Sequence, residues 1–263
     1  MESSRPPRCP DGAPLTPQKP WTERLIRPLA RAADMVLDPS IILSFDQSGY
    51  IRHRLQFDVA DTEVDMTDRT CIVTGGNSGL GLATAHALAD RGATVWLLGR
   101  NTDRSKVAVS ALQKETGNAN IHHAKLDLAD PESIATLSAR LPVSTVDVLV
   151  NNAGVLVDEH HTNTVGLETT VATNLIGHFA LTAALLPHLR RGSNARVIWV
   201  SSGGMYAKKL NVDELFDPPT PFDGVMAYAQ SKRAMATISE RLAAELAPDG
   251  IAVHCMHPGW AAT

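Results

Sequence analysis

From residue 71 to residue 256 the chain alternates short apolar runs with longer stretches whose apolar residues recur at helical spacing. This alternation constrains the fold more than any other feature. The runs cover residues 71–73, 93–98, 146–150, 195–200 and 251–256, residues 121–126 alternate, and each of the six reads as a strand. Helices are expected where Leu82, Ala85, Leu88 and Ala89 share a face, over about 105–116, from Pro131, over 169–189 and over 227–246. Pro131 follows Asp130, the order that helix starts prefer. Strands joined through helices pair in parallel by right-handed crossovers, which gives an α/β, doubly wound parallel sheet in a single domain. Ligands of such sheets sit at the carboxyl ends of the strands.

Strand ends are therefore the places to search for chemistry. The first runs into Thr74-Gly75-Gly76-Asn77-Ser78-Gly79-Leu80-Gly81, four glycines in eight residues directly before a helix. Such a turn lets backbone approach a phosphate, and the helix start offers unpaired N–H groups and a positive dipole end. The spacing is T-G-x-x-x-G-x-G. It matches neither G-x-G-x-x-G nor the hydrolase elbow G-x-S-x-G, and on its own it is also compatible with an ordinary strand-to-helix turn. Gly99-Arg100, Asp127, Asn152, Ser202 and His257-Pro258-Gly259 follow the later strands, so these distant residues should converge on one edge.

Composition narrows the classes. A net charge of −4 gives no electrostatic case for nucleic acid. Cys9, Cys71 and Cys255 are isolated and lack metal-ligand spacing; Cys71 and Cys255, in apolar runs, are expected as buried thiols in a reducing compartment. The adjacent pairs His122-His123 and His160-His161 also lack zinc-site spacing, so no metal is expected. No apolar run is read as long enough to span a bilayer, and the first twenty residues are polar and proline-rich, without a secretory signal. A cytoplasmic location follows.

Residues 1–20 are expected to be disordered. Residues 21–67 form an N-terminal extension. Within it, Leu25, Leu29, Ala32 and Val36 share one helical face of segment 21–37, opposite Arg24, Arg27 and Arg31. Such a helix packs on the domain or contacts a membrane surface peripherally, although Pro28 weakens it. Residues 50–57 read as a short helix or strand, and 61–68 as an acidic linker into the domain.

The sharpest chemical signal is Tyr228-Ala-Gln-Ser-Lys232. At i and i+4 the two side chains share a helix face. A phenol ordinarily ionises near pH 10, and a neighbouring ammonium favours the phenolate, so the pair can move a proton at an alcohol or carbonyl. Ser202, at a strand end, could hydrogen-bond the reacting oxygen. Ser201 is its rival, and Tyr206, placed in a loop, is followed four residues later by Leu210 rather than a lysine.

Thr74 to Gly81, Asn151 to Gly154, Asn174, Ser202, Tyr228 and Lys232, in this order, resemble the short-chain dehydrogenase/reductase family from about residue 68 onward. The resemblance implies a Rossmann-type fold over 68–263 and an oxidoreductase moving hydride between a nicotinamide and a carbonyl or secondary alcohol, lipophilic ones included. It implies that Tyr228 is general acid or base, that Lys232 assists it and binds the nicotinamide ribose, that Ser202 holds the reacting oxygen and that Asn174 supports a water-linked proton relay. Gly75, Asn77, Ser78, Gly79, Leu80, Gly81, Asp127, Leu128, Asn152, Ala153, Gly154, Pro258, Gly259 and Thr263 would meet the cofactor together with Tyr228 and Lys232. Where NAD-preferring sites hold a carboxylate, this chain has Gly99 and then Arg100, whose guanidinium suits a phosphate; NADP(H) is the expected cofactor, with Asp103 as the nearby competing charge. The family pattern continues past Thr263 with a helix and a strand, so the domain is expected to be C-terminally incomplete. An alternative is then a catalytically silent nucleotide-binding or interaction protein. The resemblance also implies a homo-oligomer, built through the two long helices after the fourth and fifth strands.

Overall fold

The computed structural model describes residues 34, 35, 37, 46–57 and 63–259. Two units divide the chain, Met1–Val59 and Ala60–Thr263. The expected disorder of residues 1–20 and the helix over 21–37 lie outside the described residues, except for Asp34, Met35 and Leu37. In the first unit the segment left open between helix and strand is a helix, α1 (Gln47–Arg54), capped by Asp46, which accepts the Gly49 N–H at 3.0 Å. The buried Asp34 carboxylate accepts from Arg52 Nε at 2.8 Å and from Gln56 Nε2.

The second unit is a six-stranded parallel sheet in the order β3-β2-β1-β4-β5-β6. Its strands are β1 (Thr70–Thr74), β2 (Thr94–Gly99), β3 (Ile121–Lys125), β4 (Val148–Asn151), β5 (Arg196–Val200) and β6 (Ala252–Met256). All neighbours pair in parallel, with Ile72 opposite Trp96 on one side and Leu149 on the other. Helices cover both faces, which is why the central strands read as continuous apolar runs, while the edge strand β3, with the sequence IHHAK, alternates as expected. Alternate residues enter separate cores. Ile72, Leu98, Leu149, Val197 and Trp199 pack into one, while Cys71, Val73, Val95, Leu97, Ile121 and Val150 pack into the other.

The connecting helices are α2 (Gly79–Asp90), α3 (Thr102–Thr116), the short α4 (Pro131–Ala135) and α5 (Leu137–Arg140), α6 (Thr169–Leu189), α7 (Val212–Phe216) and α8 (Gly224–Leu246). Local chemistry sets their ends. Asn101 accepts the Arg104 N–H at 2.9 Å to start α3, and Gly117, in the left-handed region at φ 71°, closes it. Asp130 accepts the Glu132 N–H at 3.0 Å ahead of Pro131, and Asp223 accepts the Met226 N–H at 3.0 Å to open α8. α6 is long and apolar enough by length and composition to cross a membrane, against the sequence expectation, yet 61% of its apolar window is buried inside the protein. Here it is a core helix. Its Ala172–Ile176 turn is a π-helix, a widening the expected continuous helix did not include. Tyr206, expected in a loop, lies in a 3-10 turn, Gly203–Ala207. Cys71 is fully buried as expected, but Cys255 is exposed: it sits on edge strand β6, whose last three residues are all exposed.

Candidate functional site

A cavity of about 770 Å³ opens along the carboxyl ends of the strands, where β1 and β4 send their chains to opposite sides of the sheet. The turn after β1 forms one wall. Gly75 is at φ +65°, and a Cβ on Gly81 would lie 2.3 Å from the Gly75 oxygen and 2.6 Å from Asn152 Nδ2, so only glycine lets helix and turn approach this closely. Ser78 caps α2 without a side-chain hydrogen bond, so the side chain does not compete for the first N–H groups of the helix. Asn77 Nδ2 donates to Ser105 Oγ at 3.1 Å and ties this turn to the start of α3.

Arg100, Asn101 and Arg104 line the cavity beyond β2. Arg104 was not singled out from the sequence; it stands four residues after Arg100, on the first turn of α3. Asp103 does not line the cavity and pairs instead with Lys106, at 3.7 Å. Asp127 and Leu128 form the wall after β3, where Asp127 Oδ1 accepts the Ala129 N–H at 3.0 Å. After β4, Asn152, Ala153 and Gly154 complete this side. Thr74, which opens the glycine motif but is not among the expected site residues, holds that wall: its hydroxyl oxygen accepts the N–H groups of both Asn152 and Ala153 at 2.9 Å, and its carbonyl accepts from Asn152 Nδ2 at 2.8 Å.

The second half of the chain brings the proton-moving groups. Ser202, Tyr228 and Lys232 all line the same cavity. Lys232 is buried; its Nζ donates to the Val200 carbonyl at 2.9 Å and lies 5.6 Å from the centre of the Tyr228 ring. Burial pushes the ammonium down from its ordinary value to about 8. Ser201 and Ser202 both line the cavity, but Ser201 Oγ donates to the Lys232 carbonyl at 2.8 Å and so braces α8, whereas Ser202 Oγ accepts the Gly204 N–H at 3.1 Å. Asn174 stands behind the wall rather than on it. Fully buried in the π-helical turn, it accepts the Val155 N–H at 2.8 Å and donates to the Val155 carbonyl at 3.0 Å and to Ser231 Oγ at 3.1 Å. A Cβ on Gly154 would lie 3.3 Å from Lys232 Nζ and 3.5 Å from Asn174 Oδ1, which measures how closely these groups converge.

The structure thus gathers all the expected site residues on one cavity except Asn174, one layer back, and Thr263, which lies outside the described residues. The histidine pairs take no part: His122 stacks on Trp96 with ring centres 4.8 Å apart, and His160 packs near Phe222. Among the described residues no three metal-binding side chains converge.

A doubly wound parallel sheet with a cavity lined by both a glycine turn and a tyrosine–lysine pair defines the class of dinucleotide-binding oxidoreductases. Residues 69–263 match the family model described as short chain dehydrogenase, and the chain belongs to that family. It is 42% identical over 220 residues to Dehydrogenase/reductase SDR family member 12 of Bos taurus, which covers 83% of this chain and 69% of that protein. It is 33% identical over 211 residues to Retinol dehydrogenase 11 of Mus musculus, covering 80% of this chain and 66% of the relative. Among solved structures, a short chain dehydrogenase from Escherichia coli CFT073 complexed with NADPH is similar at TM-score 0.62 and 28% identity, with 75% of this chain and 79% of that one covered.

Proposed function

We propose that the protein is an NADP(H)-dependent oxidoreductase acting on a lipophilic carbonyl or secondary alcohol, with Tyr228 as its general acid and base. One observation carries the reading: Ser202, Tyr228 and Lys232 share a single cavity with the glycine turn and two arginines. The residues fit the nucleotide, since Gly75 and Gly81 keep the cradle free of side chains and the start of α2 points unpaired N–H groups at a phosphate position. When bound, the nicotinamide supplies or accepts the hydride.

The protein's own residues do the rest. Gly75, Asn77, Ser78, Gly79, Leu80 and Gly81 bind the pyrophosphate side, and Arg100 and Arg104 take the 2′-phosphate. Asp127 and Leu128 flank the adenine, while Asn152, Ala153, Gly154, Pro258 and Gly259 line the nicotinamide side. Ser202 orients the reacting oxygen toward the Tyr228 hydroxyl. Tyr228 donates its proton in reduction and accepts one in oxidation, and the Lys232 ammonium stabilises the negative charge left on the phenol oxygen. Asn174 positions Val155 and the relay behind Lys232. Relatives named as retinol dehydrogenases and the NADPH complex of a structural neighbour support the substrate class and the cofactor. The free thiols Cys71 and Cys255 support a reducing, cytoplasmic setting.

The test is a nucleotide titration followed by a panel of lipophilic aldehydes and ketones, on the protein and on Tyr228→Phe. NADPH should bind at least about tenfold more tightly than NADH, and Tyr228→Phe should keep nucleotide affinity while losing about 100-fold or more in turnover. Turnover that survives Tyr228→Phe, or a preference for NADH, would overturn the assignment.

A further inference from the structure

His178 lies one turn after Asn174 on α6, is fully buried, and does not line the cavity. The proton chemistry proposed above does not use it. Both ring nitrogens are nevertheless engaged, Nδ1 with the main-chain oxygen of Asn174 at 2.9 Å and Nε2 with Thr74 Oγ1 at 2.9 Å. A carbonyl only accepts, so Nδ1 carries the hydrogen. Burial pushes the imidazole down to about 3, which keeps the ring neutral and leaves Nε2 as an acceptor.

The partner across that bond fixes its direction. Thr74 Oγ1 already accepts two backbone N–H groups, from Asn152 and Ala153. Its own hydrogen has two acceptors in range, Nε2 at 2.9 Å and the Val150 carbonyl at 3.3 Å, and Nε2 is the closer. A directional chain results. The Asn152 and Ala153 N–H groups donate to Thr74, Thr74 donates to His178, and His178 donates to Asn174, whose amide holds Val155 and Ser231 beside Lys232.

We infer that His178 is a positioning residue that couples the nucleotide-binding strand ends, through Thr74, to Asn174 and the wall behind Lys232. The inference rests on the function proposed above for what the coupling serves. An apolar residue of similar size would take away the ring donor to the Asn174 carbonyl and leave the Thr74 hydroxyl hydrogen only the longer contact with the Val150 carbonyl, at 3.3 Å. An amide can serve one end only: asparagine reaches the Nδ1 position and can donate to Asn174, whereas glutamine reaches the Nε2 position and can accept from Thr74.

The two ends can therefore be separated in the full chain by comparing His178→Leu, His178→Asn and His178→Gln for NADPH Kd and for kcat with a carbonyl substrate. His178→Leu should raise Kd and lower kcat, each about tenfold. His178→Asn should recover most of kcat and little of Kd, and His178→Gln the reverse. Equal behaviour of the two amides, or no change in any variant, would overturn the coupling. A measurement free of variants and of turnover is the nitrogen-15 NMR spectrum of His178 in the wild-type protein. It should show a neutral ring protonated at Nδ1 across pH 5 to 8, and an Nε2–H tautomer or a titrating ring would equally overturn it. If the wild-type protein binds NADPH but turns over no carbonyl, the proposed activity fails, while the tautomer and the Kd values still judge the coupling.

Discussion

Lys232 brings its charge into the cavity at the cost of hydration, and the lowering of its pKa to about 8 sets a pH limit. Below that value the ammonium is present beside Tyr228; as pH rises through it, the charge is lost. Carbonyl reduction, followed as kcat/KM, should therefore fall above about pH 8, and Lys232→Arg, which stays charged, should move that fall upward if the longer side chain is accommodated. A profile flat from pH 7 to 10 in the wild-type protein would count against the role. The same shift has a consequence for stability: between pH of about 8 and the ordinary 10.5 the unfolded chain holds this proton more tightly, so the group's penalty on folding is relieved as pH rises through that window. Arg104 supplies a second test at this scale. Because it shares the cavity wall with Arg100 while Asp103 is off that wall, Arg104→Ala should weaken NADPH about tenfold and leave NADH within about twofold, as read by fluorescence titration. Arg100 was legible in the sequence from its place after the second strand. Arg104 was not, because its relevance depends on the first turn of α3 beginning at Thr102, earlier than the apolar pattern indicated.

At the level of the elements, the end of the sheet away from the cavity is held by one carboxylate. Asp147, buried just ahead of β4, accepts the Thr70 N–H at 2.8 Å, the Ser193 N–H at 2.9 Å and Arg69 Nη1 at 3.2 Å. It joins the entry to β1, β4 and the turn before β5. Asp147→Ala leaves these donors without their partner and should destabilise the fold by about 2–3 kcal/mol, read from the urea midpoint, without altering nucleotide preference. The central strands were legible because burial on both faces demands continuous apolar runs, and those runs are short; β3, at the edge, was legible by its alternation instead. The rule misled at Cys255, where β6 lies at the edge and its last residues are not covered. The π-helical turn in α6 was hidden for a different reason: an 18-residue stretch of this helix has mean hydropathy 1.3 and the helix is largely buried, so no clear amphipathic period exists to register a local widening. The pairings of Thr74 with His178 and of Asn174 with Ser231 join residues far apart in sequence, and no local pattern announces them.

Over the whole domain, the cavity draws on the turns after β1 to β6, so a bound nucleotide would bridge most of the sheet's upper edge. Binding to the folded state alone stabilises by about 2.7 kcal/mol when ligand is at 100 times its Kd, which for a domain of this size raises Tm by roughly 5–10 °C. NADPH should give that rise in a concentration-dependent manner, and NADH a smaller one at equal concentration; no shift with either would contradict the nucleotide site. The doubly wound architecture and the edge on which the site lies were both readable from the alternation of strands and helices. Strand order needed the structure, because alternation alone does not say where the chain reverses.

That reversal, between β1 and β4, divides the sheet by descent along the chain. Only Cys71–Val148, Ile72–Leu149 and Val73–Val150 pair across it, and the strands then run outward as β2 and β3 on one side and β5 and β6 on the other. The arginines that would select the nucleotide all precede this crossing in the sequence, whereas Ser202, Tyr228 and Lys232 all follow it. A recombination breakpoint in the connection from β3 to β4 would therefore part the nucleotide-selecting arginines from the proton-moving residues, and a chimera would have to keep the Thr74–His178 contact across the join.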